Sequence, residues 1–455
     1  MNIRSIKFGG TSMGSARSIL ECASIVQEKS KQYKLIVSVS AVAGVTDTLI
    51  KIIALARKQK PKLVSAEIIA IEKTHRNILK YIINDKRKEE SVWAEKFENL
   101  FLKLRTIAQG TSLVGDLTTK TEAQICAFGE KLSSILMCEA LDTIGISNTR
   151  IESEKIIRTD SNYLSASVIF QNTISLCRKH LNPIIKQKKI PVVTGFIAKD
   201  TKGDTTLLGR GGSDYTASIL AIALKADAVE IWTDVDGIMS ADPRSVKNVV
   251  HWPCVDINLM SEMAYSGAKV VHPDTITLAL KQNIPVYVYN SFNKTFEGTK
   301  ITTKTTQDVK GVVANPKNTI ITLQHPNIID RVGFISRVST LVASYNIPID
   351  VCATSEVSLS FSISSNDFSQ KLCNDLKEIA QISVIQNVTK ICIIGHNITL
   401  NTSLLAGLFT LFSSNKIRTH IISASSSYHN LTVMIDDSDK TKILPLAHNL
   451  ILEQQ

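Results

Sequence analysis

Aromatic residues make up only 5% of this 455-residue chain. The net charge is +11, yet the Lys- and Arg-rich segment from Lys51 to Lys88 has Tyr81 as its one aromatic and no glycine-rich arm. Nucleic-acid surfaces combine cations that track phosphates with rings that stack on bases. Here Leu55, Leu63, Ile68, Ile71, Ile78, Leu79 and Ile82 recur at helical spacing between the cations, which reads as a solvated helical face. Paired cysteines are missing as well. Eight cysteines lie between Cys22 and Cys392 without a CxxC pair, and His251 before Cys254 has no second pair to complete a zinc site. They read as small core hydrophobes in a reducing compartment. No apolar run approaches the roughly 20 residues of a spanning helix, and glycines interrupt MNIRSIKFGGTS before a signal-peptide run develops. A cytoplasmic protein is expected, with neither membrane nor nucleic acid as partner. The GxxxxGK[ST] loop is absent too, which removes the P-loop way of holding phosphate.

What is present is 44% hydrophobic and 20% charged residues, the balance of a globular protein of two or three domains. Short β-prone runs at 3–9, 33–40, 190–196, 228–233 and 284–290 end in turn residues and precede helix-period segments. That alternation predicts a largely parallel sheet sandwiched by helices, with ligands at the carboxyl ends of the strands. Residues 1–290 are expected to form this α/β domain. Residues 291–318 lose helical period and read as a connector with room for a short strand or two. Beyond it a strand (319–325), a helix (329–345), two strands (347–363) and a helix (367–380) are predicted, and at an offset of 70 residues the pattern returns. Thr319 matches Thr389, Leu341 matches Leu411, Ser344 matches Ser414, Ile347 matches Ile417 and Ser355 matches Ser425. Two tandem ferredoxin-like βαββαβ units, 319–386 and 387–455, are therefore expected. Neither carries a catalytic cluster, which points to ligand binding or assembly.

Six stretches carry chemistry. Lys7, Gly9 and Gly10 in KFGGTS leave a strand and enter a helix expected to begin near Ser12, so bared amides, a helix dipole and a lysine would cradle a phosphate. An ordinary turn with an N-cap is the other reading. In SAVAGVTD, Ser40 and Thr46 offer hydroxyls at a strand end, unless Thr46 or Asp47 is only an N-cap. Glu130 lies among Ala127, Phe128, Gly129 and Leu132, a setting in which a glutamate faces a site more often than elsewhere. In LLGRGGSDYTA, Arg210 can fork onto a carboxylate and Asp214 can pair with an ammonium, so together they suit a zwitterion. Gly209, Gly211 and Gly212 would admit it, and Ser213 would touch it and cap the helix. The bland version is a glycine-rich hairpin capped by Asp214. Thr233 and Asp234, with Ala241-Asp242-Pro243-Arg244 after them, would hold a ribose or adenine edge or only make turns. Lys269 in GAKVVHP is a second lysine, and His272 before Pro273 reads as an extended packing residue.

Together, KFGGTS, SAVAGVTD, FGEKLS, LGRGGSDYTA, WTDVDGI with ADPR, and GAKVVHP resemble, in order and spacing, the aspartate kinases of the amino acid kinase family. The likeness covers essentially the whole chain, and the tandem units, with ATSEVSLS at 353–360, resemble that family's paired ACT domains. The resemblance implies transfer of the γ-phosphoryl group of ATP to the β-carboxylate of L-aspartate. Lys7 and Asp214 would be catalytic, with the Gly9 and Gly10 amides assisting at the phosphoryl group. Ser40, Thr46, Glu130, Arg210, Ser213 and Asp214 would hold aspartate, with Arg210 on its α-carboxylate and Glu130 or Asp214 near its ammonium. ATP would lie across Lys7, Gly9, Gly10, Thr233, Asp234, Met239, Arg244 and Lys269, with Mg2+ held mainly by its phosphates and no protein metal site. Met239 departs from the pattern, standing where lysine-sensitive bacterial relatives carry a tyrosine.

In those relatives the inhibitor binds where ACT units pair across a dimer. Matching positions are Gly333, Ile335, Asp350, Thr354, Ser355 and Glu356, and the two acids suit a diamino acid. L-lysine is the expected effector, threonine the alternative, and a homodimer or dimer of dimers the expected assembly. Rival readings are a kinase of glutamate or of a nucleotide, which would not carry this tail, and a non-catalytic amino-acid sensor, which would have lost the charged residues kept here. A form fused to homoserine dehydrogenase is not expected, because the chain stops after the second unit.

Overall fold

The computed structural model describes residues 2–268, 271–304, 309–324, 333–424, 427 and 429–453. They fall into two compact units, Met1–Ile238 with Val270–Thr305, and Met239–Lys269 with Thr306–Gln455.

In the first unit the β-prone runs pair as one sheet. Its strands are β1 (Ile3–Phe8), β2 (Lys34–Val39), β3 (Asn148–Ile151), β4 (Ile190–Thr194), β5 (Ala228–Thr233), β6 (Val286–Asn290) and β7 (Thr299–Thr302). They lie in the order β7-β6-β5-β1-β2-β4-β3. All neighbours run parallel except the β6–β7 pair. Successive side chains on a strand point to opposite faces, and both faces here are covered. Val37 and Val192 enter a core with Ile19, Val26, Leu132 and Leu136, from helices α1 (Ala16–Ser30) and α7 (Phe128–Thr143). Ile36 and Val193 enter another with Cys177, Leu181, Ile219 and Leu220, from α8 (Phe170–Lys186) and α9 (Gly212–Leu224). That is why these strands read as unbroken apolar runs.

Five helices lie between β2 and α7: α2 (Val45–Arg57), α3 (Pro61–Ile83), α4 (Lys86–Val92), α5 (Glu98–Val114) and α6 (Thr119–Cys126). The basic segment is their outer face. Val64, Ile68, Ile71, Ile78, Leu79 and Ile82 of α3 are buried while Lys62, Lys73 and Lys80 are exposed. Leu63 departs from the expected stripe, being 52% exposed. A last helix, α11 (Pro273–Lys281), follows His272, whose extended backbone supplies the N-cap position.

The second unit contains one antiparallel sheet of six strands: β8 (Lys310–Gln324), β9 (Cys352–Thr354), β10 (Ser358–Ser364), β11 (Gln381–Gly395), β12 (Thr419–Ala424) and β13 (Asn430–Asp436). Their order is β9-β10-β8-β11-β13-β12. Around it lie α10 (Ile257–Tyr265), α12 (Phe334–Ser344), α13 (Gln370–Lys377), α14 (Thr402–Ser414) and α15 (Lys440–Glu453). The repeat is real at the level of positions. Ser344 and Ser414 each end a helix, and Asn346 and Lys416 each follow with φ of 57° and 56°. Residues 329–332 of the expected helix, and Ser425, lie outside the described residues.

Three boundaries differ from the expectation. First, the tandem units are not consecutive. Lys310–Asn315 pairs with Lys390–Gly395, whereas Asn318–Gln324 pairs with Gln381–Val388 and with β10. Both long strands break register near Lys317 and Asn387, at φ of 63° and 58°. The first half of β8, placed in the connector, is thus the fourth strand of the second repeat, and Val312 sits in that repeat's core with Leu408, Phe412 and Leu444. Second, residues 239–269 group with the second unit, not with the α/β residues that precede them in sequence. Ala241 and Val246 join the same core as Val312, and His396 meets Asp256 at 3.0 Å. Third, α1 begins at Ala16, not near Ser12. Ser15 is its N-cap and exchanges hydrogen bonds with Ser18, a capping box of the kind that stabilises by about 1 kcal/mol.

Candidate functional site

Lys7 is the fifth residue of β1, with Ser38 of β2 and Ile231 of β5 beside it. Strand alternation turns it towards α9, where its Nζ stands 2.5 Å from the Asp214 Oδ1. Each side chain is only 11% exposed. Two opposite charges this far from water hold each other in place, because either alone would be strongly destabilising. Asp214 is therefore neither a cap nor a free ammonium partner but the counter-ion of Lys7. The α9 N-cap is Gly211, in the left-handed region at φ 70° and with no side-chain cap, so Ser213 does not cap either. Ser213 instead packs on Gly195 after β4, where an added Cβ would come within 2.7 Å of its Oγ.

Glu130 lies in the first turn of α7, only 4% exposed. Gly129 lets the helix approach the loop after β2: a Cβ there would stand 2.7 Å from the Ala41 Cβ. The Ala41 N–H donates to the Glu130 Oε1 at 3.1 Å, while Oε2 is buried without a hydrogen-bond partner. Burial pushes its pKa up to about 8, against the opposing pull of the Ala41 N–H and Lys7. The unpartnered Oε2 leaves this acid able to take a further polar partner, and a cation beside it would favour the ionised form. On the same loop Gly44, at φ 78°, is the N-cap of α2, so Thr46 and Asp47 are not caps and Thr46 stands half-buried in the first turn. Ser40 is half-buried, its carbonyl held by the Ser133 hydroxyl at 2.7 Å.

The glycine cradle is only partly open. The Gly9 N–H donates to the Trp232 carbonyl at 3.0 Å, continuing the β1–β5 ladder one residue past the strand. It is not available to an anion. The Gly10 amide has no such partner among the described residues. A Cβ on Gly9 would lie 3.4 Å from the Lys7 Nζ and 4.0 Å from the Thr233 Oγ1, so the lysine and the end of β5 share one neighbourhood.

The glycines around Arg210 have another use than admitting a ligand. Gly209 and Gly211 adopt φ of 76° and 70°, and added Cβ atoms would reach 2.9 Å from Ser165, 2.8 Å from Thr275 and, at Gly212, 2.7 Å from Phe196. Side chains of the protein fill that space. Arg210 itself is exposed and pairs with no carboxylate among the described residues. Thr233 is half-buried and donates to the exposed Asp234 at 3.1 Å. Met239 and Arg244 belong to the second unit. There Arg244 forks onto Asp242, and the Asp242 carbonyl accepts from Ser245 and Val246, a turn. Lys269 lies outside the described residues.

Several features carried no side-chain signal in the sequence: the Ala41 amide, Gly195, and Phe196. Phe196 has φ 66°, a true outlier for a bulky residue, fixed by its N–H to the Thr216 Oγ1 at 3.0 Å and its carbonyl to the Leu208 N–H. Cavities of about 580 Å3 (Ser15, Arg17, Phe292, Lys294) and about 510 Å3 (Glu95, Lys96, Lys103, Arg150) are lined by none of the site residues. No group of three or more His, Cys, Asp or Glu is placed to hold a metal among the described residues.

Of the effector positions, Gly333 is the α12 N-cap at φ 87°, and Ile335 is 52% exposed. Asp350 is already paired with the buried Lys390 at 2.7 Å. Thr354, Ser355 and Glu356 are exposed, and Ser355 bonds Ser358 at 2.7 Å.

The chain that builds this site has counterparts among known proteins. The amino acid kinase family matches residues 4–290. Lysine-sensitive aspartokinase 3 of Escherichia coli (strain K12) is 30% identical over 98% of either chain, and the chloroplastic aspartokinase 3 of Arabidopsis thaliana is 27% identical over 98% of this chain and 81% of that protein. Crystallised E. coli aspartokinase III in complex with lysine and aspartate (T-state) superposes with a TM-score of 0.85 at 27% identity, over 99% of both chains. The same enzyme with aspartate and ADP (R-state) gives 0.82, over 99% of this chain and 100% of that one. The chain belongs to the amino acid kinase family, and within it to the aspartokinases. It is an ATP-dependent kinase, with an amino acid kinase fold followed by ACT-type regulatory repeats.

Proposed function

We propose that this enzyme transfers the γ-phosphoryl group of ATP to the β-carboxylate of L-aspartate, giving 4-phospho-L-aspartate, the first step towards lysine, threonine and methionine. The observation that carries the reading is the buried Lys7–Asp214 pair beside an acid, Glu130, with one oxygen unpaired. The β-carboxylate is ionised at neutral pH, so the nucleophile needs no general base. Catalysis then rests on positioning and charge. Lys7, held by Asp214, faces the charge that develops on the transferred group, with the Gly10 amide beside it. Glu130 takes the ammonium through its Oε2, Arg210 takes the α-carboxylate, and Ser40, Thr46 and Ser213 contact the rest of the aspartate. Thr233 and Asp234 contact the nucleotide at the end of β5, and Met239, Arg244 and Lys269 belong to its binding segments. The oxygens at hand here, of Thr233 and Asp234, suit a hard cation that keeps most of its shell in phosphate and water, so Mg2+ is carried mainly by ATP and supplies charge neutralisation.

E. coli aspartokinase III has been crystallised with lysine and aspartate, and lysine is the effector proposed here, with threonine as the alternative. Asp350 is partly committed to Lys390, which leaves Glu356 as the freer acid for an ammonium group. A homodimer or dimer of dimers through the ACT repeats and a cytoplasmic location complete the proposal; no described helix is long and apolar enough to cross a membrane. An ATP-dependent hydroxamate assay tests the substrate. Product with L-aspartate, and inhibition by lysine below millimolar concentration, are expected. Preference for L-glutamate would favour the rival kinase, and indifference to lysine at millimolar concentration would overturn the effector.

A further inference from the structure

We infer that His448, on α15, is a positioning residue for the nucleotide-binding segment Met239–Arg244 and acts through Ser240. The inference rests on the proposed nucleotide role of that segment and deepens it.

Ser240 is fully buried and His448 is 1% exposed. Every polar atom of Ser240 is engaged. Its N–H donates to the Val250 carbonyl at 2.8 Å, and its carbonyl accepts from the Val312 N–H at 2.7 Å. The Val250 N–H donates to its Oγ at 2.8 Å, and the Oγ meets the His448 Nε2 at 2.8 Å. The hydroxyl thus bridges the Val250 N–H and the imidazole, its oxygen keeping a second lone pair and its hydrogen free to serve either tautomer of the ring. Burial favours the neutral ring, holding the His448 pKa below its ordinary value.

The surroundings are apolar. Ala241 and Val246 on one side, and Ile443, Leu444 and Ala447 of α15 on the other, share one core with Val312. Inside that core Ser240 Oγ and His448 Nε2 are each other's polar side-chain partner, while Nδ1 is buried without a hydrogen bond, so this bond favours one placement of the segment and penalises a slide along β8. Gly311 gives the backbone room: a Cβ there would lie 3.0 Å from the Ser240 carbonyl oxygen. Met239 precedes this anchor directly, and the Asp242–Arg244 turn follows one residue later. The seating of α15, an element of the second regulatory repeat, therefore fixes where the nucleotide segment begins.

The test measures binding of Mg2+ with adenosine 5′-(β,γ-imido)triphosphate to the full chain by calorimetry, without aspartate, alongside steady-state kinetics. His448→Leu keeps the bulk and loses the hydrogen-bonding nitrogen; His448→Gln restores a group that can donate or accept. The expected result is nucleotide binding weakened about tenfold in His448→Leu, the scale of one lost buried hydrogen bond, with the aspartate KM within about twofold and binding recovered in His448→Gln. Unchanged nucleotide binding in a folded His448→Leu protein overturns the inference. So does an equal loss in nucleotide binding, aspartate KM and kcat that glutamine does not rescue. If His448→Leu fails to fold, Ser240→Ala is read by the same criteria. Wild-type protein that binds the nucleotide but does not phosphorylate aspartate strikes the substrate reading, while the binding comparison still decides the anchor.

Discussion

Glu130 concentrates the residue-scale argument. Its folded pKa, about 8, lies above the ordinary 4.5, so between those values the folded chain binds the proton more tightly than the unfolded chain does. Stability of the substrate-free enzyme through this group is greatest below about pH 4.5 and falls as the pH rises towards 8. Glu130→Gln removes that dependence. Urea unfolding is expected to find the variant level with wild type near pH 4.5 and more stable at pH 9, by on the order of 4 kcal/mol; equal stability at both pH values contradicts the burial argument. Arg210, exposed and unpaired by any described carboxylate, should do the opposite. Arg210→Ala is expected to raise the aspartate KM about 10- to 100-fold, the worth of a forked pair of charge-assisted bonds, while leaving the melting temperature unchanged. A variant with unaltered aspartate KM would remove Arg210 from the site. In the sequence Arg210 stands out as a charge among glycines, and Glu130 as an acid in an apolar, small-residue helical setting. Asp214 stands out there as a charge beside the glycines but not as the partner of Lys7, because that pairing depends on which face of β1 meets α9. The Ala41 amide could not be read at all, since every residue but proline has one.

Elements obey close approach more than propensity. The glycines at 209, 211 and 212 seemed to make room for a ligand; two of them take left-handed φ and all three are filled around by Ser165, Thr275 and Phe196. Glycine content alone does not tell a backbone that must bend from a backbone that must admit something. Gly129 gives a sharper case. An added methyl would stand 2.7 Å from the Ala41 Cβ, so α7 must retreat from the loop and the Ala41–Glu130 bond must lengthen. Gly129→Ala is expected to lose about 1–3 kcal/mol of stability by overpacking and to raise the aspartate KM, whereas a surface glycine-to-alanine change in a helix does neither. Thermal unfolding with aspartate kinetics checks both, and a variant more stable than wild type would contradict the packing. The start of α1 was misread for a related reason: Gly9–Ser15 forms successive turns in which Met13 and Gly14 donate back to Gly9, Gly10 and Thr11, and only then does the Ser15 capping box open the helix.

At the scale of the whole molecule, the alternation of strands with helices and the 70-residue offset sufficed to read both the parallel sheet and the repeat. The sharing of strands did not show, because Lys310–Asn315 completes a repeat whose other elements begin more than seventy residues later, and nothing local in GVVAN marks its partner. Val312 tests the arrangement. Val312→Asp buries a charge in the core of the second repeat, so hydrogen exchange should quicken in α14 and α15 well before α12; loss confined to α12 would return the strand to the first repeat. The central claim, that a buried lysine at the end of β1 drives phosphoryl transfer to aspartate, comes down to one comparison. At saturating ATP and L-aspartate, the rate of hydroxamate formation by wild type and by Lys7→Ala is measured. The expected result is robust aspartate-dependent product in wild type and a fall of about 10²- to 10³-fold in the variant with its aspartate KM little changed. Normal turnover in Lys7→Ala, or no aspartate-dependent product in wild type, would contradict it.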